Sequence, residues 1–429
     1  MMKDLELVIN ELIEFILLNH VESIPEYYYD VFLNYLGVTY LGSKNSDIDV
    51  VINSLLDDHS GIYSPIGRKE KMSLSDVALI DCYASAIYAY DDIHFETTSH
   101  PTGPVMSALL AIARTQSISL KKILTALCIG MEVECRMGVL LFSNNNTYKG
   151  YYTTGIIGGF GVVAALSYVL EFNKEQISNA LGLVSCYASG NRGSHGSMAG
   201  SFIPAIACKN GLDVCNLVKH GMTCSINALI GTNGLVNQIT TKPNVNEARQ
   251  GLGEIYISMN TSCKPYPYGF ISFASIALLK QLSISEMFDS IEVEVSSCVY
   301  ELGCKKELNN KYDAIVSLPY ILSRVIVVPD NAYCPITDDI VSEEITKMME
   351  KISIIENQTL NDDEVYMTIN KKRHHLKDAP GSINNPMSHN DILNKFKVIT
   401  NIQISNQIIY KIYNEDINDI YAFIKEYMS

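Results

Sequence analysis

Apolar segments with helical periodicity follow one another from the first residues to about residue 265, and nothing else in the chain limits its fold so strongly. SDVALIDCYASAIYAY, GPVMSALLAIART, LKKILTALCIGMEVECRMGVLLF, TTGIIGGFGVVAALSYVLEF, KEQISNALGLVSCYAS and IPAIACKNGLDVCNLVKHG each exceed strand length and repeat their apolar residues at helical spacing. Such a succession predicts a large all-helical domain. Gly155, Gly158, Gly159, Gly161, Ala164 and Ala165 give one of these helices a small-residue face. Glycine costs about 1 kcal/mol against alanine inside a helix, so close packing of buried helices has to offset it.

Between about 285 and 370 the texture changes. FDSIEVEVSSCVYEL and DEVYMTIN alternate as strands, and YDAIVSLPYILSRVIVV and ITKMMEKISIIE read as helices between them. The fold class expected is therefore mainly α, a large all-helical domain with a smaller α+β domain. Periodicity breaks at Cys263-Lys264-Pro265-Tyr266-Pro267-Tyr268-Gly269, which sets the boundary. The helical domain takes residues 1–265 and 390–429, the last 40 residues packing back on it, and the α+β domain takes 266–389. Residues 371–390 are polar and rich in turn formers, so they read as a loop, as does the Asn144-Asn145-Asn146 run.

The chain has 429 residues, 47% of them hydrophobic and 18% charged, enough to bury a large core. Lys+Arg 32 against Asp+Glu 47 gives a net charge of -15, which disfavours nucleic acid as a partner. Eleven cysteines without a CxxC pair or a repeating Cys/His spacing predict a reduced, cytoplasmic protein without structural zinc. At the N-terminus Leu5, Ile9, Leu12, Ile13, Ile16 and Leu17 recur among Glu6, Glu11 and Glu14, which is an amphipathic helix and not a signal peptide. No run of about 20 apolar residues suggests a membrane span.

Chemistry concentrates in Tyr90-Asp91-Asp92-Ile93-His94-Phe95-Glu96-Thr97-Thr98-Ser99-His100-Pro101-Thr102-Gly103-Pro104, an irregular connection between two helices, the second opening near Pro104. It carries carboxylates, two imidazoles and hydroxyls on a rigid frame. The plain alternative is a polar loop in which Asp91, Ser99 and Thr102 cap helices. Ser194-His195 lacks the strand-to-helix GxSxG context of a hydrolase, and no strand precedes or lysine follows GIIGGFG, as a phosphate loop would need. His374-His375 beside Lys371, Lys372 and Arg373 reads as a solvated basic turn.

The segment YDDIHFETTSHPTGPVMSALLAIA resembles the signature of the MmgE/PrpD superfamily, which includes 2-methylcitrate dehydratase-like and cis-aconitate decarboxylase-like proteins. Four further stretches resemble that family in the same order: CIGMEVECRMG with Glu132 and Arg136, the Gly/Ala helix running on to ALG, CKPYPYG, and AIVSLPYILS. The resemblance implies a helical domain with a smaller α+β lid domain, a homodimer, and cofactor-free proton transfer at carbon beside a carboxylate, as in dehydration, decarboxylation or epimerisation.

Carried over residue by residue, the resemblance makes His100 a general acid or base and Lys264 an oxyanion binder. Tyr152 and Tyr320 then orient substrate or relay protons, and Asp91 and Asp92 position His94 or His100. The sequence also departs from the family pattern. Ala89 and Ile93 replace acidic and threonine positions, Tyr152 stands where histidine is usual, and Gly200 stands where a lysine that contacts substrate carboxylate is usual, with Ile203 or Phe202 at a histidine position. After KPYP come Tyr268, Gly269, Phe270, Ser272 and Phe273. The site has lost cations, with Arg192 and His195 as partial compensation, while Phe202, Tyr268, Phe270 and Phe273 offer an aromatic lining. Burying a carboxylate without a partner costs several kcal/mol, so the expected substrate is a carboxylate or carbonyl compound less anionic than a tricarboxylate, and a dehydratase, decarboxylase, epimerase or cyclase of specialised metabolism fits that pattern. The second reading is a catalytically inactive relative that binds a ligand or a protein.

Overall fold

The computed structural model describes residues 2–18, 23–58, 60–142, 150–282, 288–337, 342–401, 406–414 and 417–428. The Asn144-Asn145-Asn146 run lies outside them. Helices α1 (Met2–Leu18), α2 (Glu26–Gly42), α3 (Ser46–Asp58), α4 (Leu74–Ala86), α5 (Thr102–Ala113), α6 (Leu120–Phe142), α7 (Thr153–Val169), α8 (Lys174–Ser185) and α9 (Met198–Lys219) build the first hydrophobic core. Three short helices follow, α10 (Asn227–Ile230), α11 (Leu235–Ile239) and α12 (Val245–Arg249).

At the centre α6 and α7 lie side by side, and α7 packs in turn on α9. Every residue of α6 from Ile123 to Phe142 is buried, and apart from Glu132, Glu134 and Arg136 none of them is charged. Glycine permits the approach. A Cβ on Gly130 of α6 would come within 2.8 Å of the Gly161 carbonyl of α7, and one on Gly161 within 2.7 Å of Glu134.

Two residues of the EVECR stretch hold this core to the chain that follows it. Glu132 and Arg136 form a buried pair one turn apart at 2.6 Å. Arg136 also donates to the carbonyls of Ala248, Gln250 and Ile255, while Glu132 accepts from the Ser258 amide and hydroxyl. They fasten residues 248–258, which lead into strand β2 (Thr261–Cys263). That strand pairs antiparallel with β1 (Asp92–His94), Asp92 opposite Cys263. The connection read as irregular therefore contains a strand, and its far end is closed by a bridge between His94 and Ser99.

A second core gathers residues from Tyr266 to Ala379. Its sheet has the order β4-β3-β5-β6, with β3 (Ile291–Val295) parallel to β4 (Ile352–Glu356) and antiparallel to β5 (Val365–Ile369), which pairs antiparallel with β6 (Lys372–Leu376). Around it stand α13 (Phe273–Leu282), α14 (Ser297–Gly303), α15 (Lys311–Ala314), α16 (Leu318–Val327) and α17 (Glu343–Glu350). Then α18 (His389–Thr400) returns to pack on α2, and α19 (Asn406–Tyr413) and α20 (Ile420–Met428) complete the helical unit.

Three local expectations are corrected. ITKMMEKISIIE is helical only as far as Glu350, because the β-branched run Ile352, Ile354, Ile355 is drawn into a parallel pair with β3. The helix expected over 312–328 breaks where the Ser317 hydroxyl caps α16 and Pro319 occupies its first turn. Residues 372–376, read as loop, form strand β6; Asn370 and Lys371 both take positive φ, 48° and 67°, and make the tight turn from β5. An exposed edge strand of charged residues carries no apolar alternation to announce it. Among the described residues, no helix is long and apolar enough to cross a membrane.

Candidate active site

A cavity of about 210 Å³ opens between the two cores. One wall comes from the helical unit and carries Asp91, Thr98, His100, Tyr151, Tyr152, Arg192, His195, Ser201 and Lys264. The facing wall comes from the α+β unit and is mostly apolar: Phe270, Ile271, Leu302, Ile315 and Val316. The units are tied beside it, since Tyr312 donates its hydroxyl to Asp47 of α3, Lys311 lies 3.0 Å from the same carboxylate, and Asn310 donates to the Gly196 carbonyl at 3.0 Å.

The β1–β2 ribbon positions the charged centre. One residue beyond the paired strands, the Lys264 amide donates to the Asp91 carbonyl at 3.0 Å, which brings the two side chains together. Lys264 Nζ lies 2.6 Å from Asp91 Oδ1, and Asp91 Oδ2 lies 3.6 Å from His100 Nδ1. His100 enters from the turn before α5. Its amide donates to Thr154 Oγ1 at 2.9 Å, and Nδ1 lies 2.5 Å from the Asp92 carbonyl oxygen. A carbonyl only accepts, so Nδ1 carries the proton and Nε2 carries the lone pair.

Burial lowers the His100 pKa below its ordinary value, the Lys264 and Arg192 charges add to that, and Asp91 opposes it. The imidazole is thus a neutral base at pH 7, and its side chain keeps 19% exposure. Asp92 differs from its neighbour. Buried behind the ribbon, it accepts from the Thr102 amide and hydroxyl, and burial together with the Asp91 charge pushes its carboxyl up to about 7.

Tyr152 caps the start of α7 with its ring between two imidazoles, 6.4 Å from His100 and 5.4 Å from His195, centroid to centroid. Burial raises its hydroxyl pKa, so it is a proton donor and not a phenolate at neutral pH. His195 is pulled down to about 4 by burial, with Arg192 and His100 adding to it, and is neutral as well. Gly200 also borders the cavity, where a Cβ would meet nothing closer than 3.6 Å.

Donor atoms of Asp91, Asp92 and His100 lie within 4.8 Å of one another, a spacing that suits a metal ion. The Lys264 ammonium already supplies the cation at Asp91 and would oppose a second one there.

The structure brings Asp91, His100, Tyr152, His195, Lys264 and Phe270 to one cavity, with Asp92 directly behind. Four expected site residues do not reach it. His94 is buried between the Thr97 hydroxyl at 2.8 Å and the Ile257 carbonyl at 3.2 Å, on the opposite side of the strand from its neighbours. Phe202 packs edge-on against Tyr83 at 5.2 Å, because along α9 it is Gly200 and Ser201 that face the cavity. Tyr268 turns inward and donates to the Asn331 carbonyl at 2.6 Å, and Tyr320 is 1% exposed in the same core. Phe273 also lies in that core, against Tyr266, and leaves Phe270 alone of the expected aromatic lining.

Sequence reasoning missed the apolar wall apart from Phe270, and Lys395, a buried lysine behind the ribbon. The wall residues sit on three separate elements, and Lys395 lies on a helix with an ordinary amphipathic pattern.

Comparison with known proteins adds two kinds of match. The description "MmgE/PrpD N-terminal domain" fits residues 11–248, and "MmgE/PrpD C-terminal domain" fits residues 270–415. The chain is similar to the human cis-aconitate decarboxylase, 24% identical over 243 residues, which are 54% of this chain and 46% of that protein. It is also similar to the cis-aconitate decarboxylase-like protein oryM of Aspergillus oryzae, 24% identical over 176 residues, 39% of this chain and 36% of that one. The chain thus spans less than half the length of either curated relative in these matches.

Proposed function

Because the chain belongs to the MmgE/PrpD family, we propose that it is a lyase- or isomerase-type enzyme that moves a proton at carbon beside a carboxylate or carbonyl, on a substrate less anionic than a tricarboxylate. The relatives named for cis-aconitate decarboxylation support lyase-type chemistry. The observation that carries the finer reading is the contrast between the cavity walls: one wall gathers Asp91, His100, Arg192, His195 and Lys264, its lysine already matched by Asp91, and faces a wall with no charged group.

A trianion would bring three charges to a wall whose cations are Lys264 and Arg192, beside two imidazoles that are neutral at pH 7. The uncompensated charge would be desolvated at a cost of several kcal/mol. A monocarboxylate or ketone with an apolar body meets both walls without that cost.

Chemically, His100 Nε2 takes the proton from the carbon next to the carbonyl group, and the Lys264 ammonium holds the charge that develops on oxygen. Delivery of a proton to the other face by a second donor, the Tyr152 hydroxyl, gives an isomer, and the proton on His100 returns to the phenolate through solvent. Expelling a β-substituent, protonated by the Tyr152 hydroxyl, gives an alkene. In a decarboxylation the carbanion left by carbon dioxide takes its proton from the Tyr152 hydroxyl, which regains one from solvent. A dimer, expected from the resemblance, is part of the same proposal and is tested by sedimentation.

The experiment is a thermal-shift series setting citrate, 2-methylcitrate and cis-aconitate against branched and aryl monocarboxylates and ketones of similar size. Stabilisation by the second group, followed by turnover, supports the reading; stabilisation and turnover only with the first group overturns it. The second reading, an inactive relative, is favoured by Tyr152 in place of histidine and predicts binding without turnover.

A further inference from the structure

We propose that Lys395, which lies on α18 and is 131 residues beyond Lys264 in the chain, is a positioning residue that clips the end of the β1–β2 ribbon and so holds Asp91, Lys264 and His100 in register. This rests on the reading of the cavity as the reactive site.

Helix α18 turns Ile392, Lys395 and Phe396 into the first core against α2. A lysine on that apolar face needs partners for all three N–H donors, because a buried donor without an acceptor loses its hydration and gains nothing in return. Lys395 has them. Its Nζ lies 2.7 Å from Asn34 Oδ1, 2.7 Å from the Tyr90 carbonyl oxygen and 2.8 Å from the Lys264 carbonyl oxygen. It also sits over the Tyr90 ring, 3.8 Å from the centroid.

The identity of the acceptors carries the inference. None of the three is a carboxylate, so the ammonium does not serve as one half of a salt bridge. Two are main-chain carbonyls on opposite sides of the ribbon: Tyr90, immediately before Asp91, and Lys264 itself. The third belongs to Asn34, whose amide nitrogen lies 3.3 Å from the Asp91 carbonyl oxygen. That same oxygen accepts from the Lys264 amide. Lys395 thus bridges the two chains one step beyond the last strand pair, where regular β pairing ends. The Asp91–Lys264 contact and the Asp92 carbonyl that fixes the His100 tautomer ride on the same ribbon.

Removing the ammonium orphans three buried acceptors and leaves the ribbon end free to splay. The consequence reaches His100 through the main chain, without any direct contact from Lys395. A lysine that merely filled space would alter stability and leave the imidazole as it was.

The test is nitrogen NMR of the ligand-free full chain with labelled histidine, His100 being assigned by the signals lost in His100→Gln. In the parent at pH 6.5, beneath the value of about 7 to which burial pulls Lys395 and above the lowered His100 pKa, the two ring nitrogens of His100 give well-separated signals, as a single Nδ1–H tautomer requires. In Lys395→Met the proposal expects them to move toward one another as the tautomers mix, with circular dichroism confirming the fold, and methylammonium to restore the separation in Lys395→Ala. A folded Lys395→Met with unmoved His100 signals overturns it. Should Lys395→Met not fold, Lys395→Arg serves instead, since a planar guanidinium cannot set three tetrahedral donors on these acceptors; unmoved signals there overturn the proposal equally. Because no ligand is used, a mobile tautomer in the variant of a protein without turnover would uphold the clip and refute only the enzymatic reading.

Discussion

The ammonium of Lys264 lies 2.6 Å from the carboxylate of Asp91, with 4% and 9% of the two side chains exposed. Breaking a buried pair from one side leaves a charge without its partner, which costs about 3–5 kcal/mol. Lys264→Met is therefore expected to lower stability toward urea by that order, and adding Asp91→Leu to recover much of it. Equal midpoints for the parent and the single variant would show that the pair is not closed in solution.

Asp92 gives a pH dependence with a definite sign. Its folded pKa of about 7 lies above the ordinary 3.8, so the folded chain binds its proton more tightly than the unfolded chain. The stability it contributes is fully present below about pH 3.8 and is lost as pH rises through 7. Unfolding midpoints of the parent and of Asp92→Asn, measured from pH 4 to 8, are expected to differ by an amount that changes steadily across this window. A constant difference would contradict it.

Gly200 tests the charge argument by gain. Its Cβ position is open toward the cavity, with His195 3.6 Å away, and it lies in the first turn of α9. Gly200→Lys is expected to tighten binding of citrate or cis-aconitate about tenfold, equivalent to about 1.4 kcal/mol, and to weaken binding of apolar monocarboxylates. Isothermal titration of both classes reads the change. No gain for the tricarboxylates would mean that missing charge is not what disfavours them.

Glu134 sits between α6 and α7 with both carboxyl oxygens buried and without a hydrogen-bond partner among the described residues. Burial, with Asp92 nearby, raises its pKa well above the usual carboxylate range. With no donor to hold a carboxylate among the described residues, it is expected to be a neutral acid at pH 7. Glu134→Met removes an unsatisfied polar group and is expected to leave stability unchanged or raise it by about 1–2 kcal/mol. The parent should show an infrared carboxylic-acid band at pH 7 that the variant lacks; a variant without that loss would place the proton elsewhere.

Much of this architecture is legible in residue order, and the reason is physical. Helix α6 announces itself through a continuous apolar stretch with the Glu132–Arg136 pair inside it, and α7 through its small-residue face. Both are local patterns set by burial. The cavity residues Asp91, His100 and Lys264 stand in segments that resemble a known signature, and all three line one cavity. What stayed hidden depends on contacts between distant segments. Strand β6 exists because β5 pairs with it, and Lys395 matters through two carbonyls 131 and 305 residues away. Tyr268 and Tyr320 lie in matching motifs, yet their side chains turn into the α+β core. A motif fixes the backbone path more firmly than the direction of each side chain along it.

The most direct test of the account is deuterium exchange in D2O, followed by NMR at the carbon beside the carboxyl or carbonyl group of a ligand chosen by thermal shift. The parent and His100→Gln would be run side by side. The account predicts exchange in the parent that falls away only below about pH 6.5, since burial holds the His100 pKa beneath that value, and a loss of about 100-fold or more in the variant. Exchange at the same rate in both proteins would contradict it.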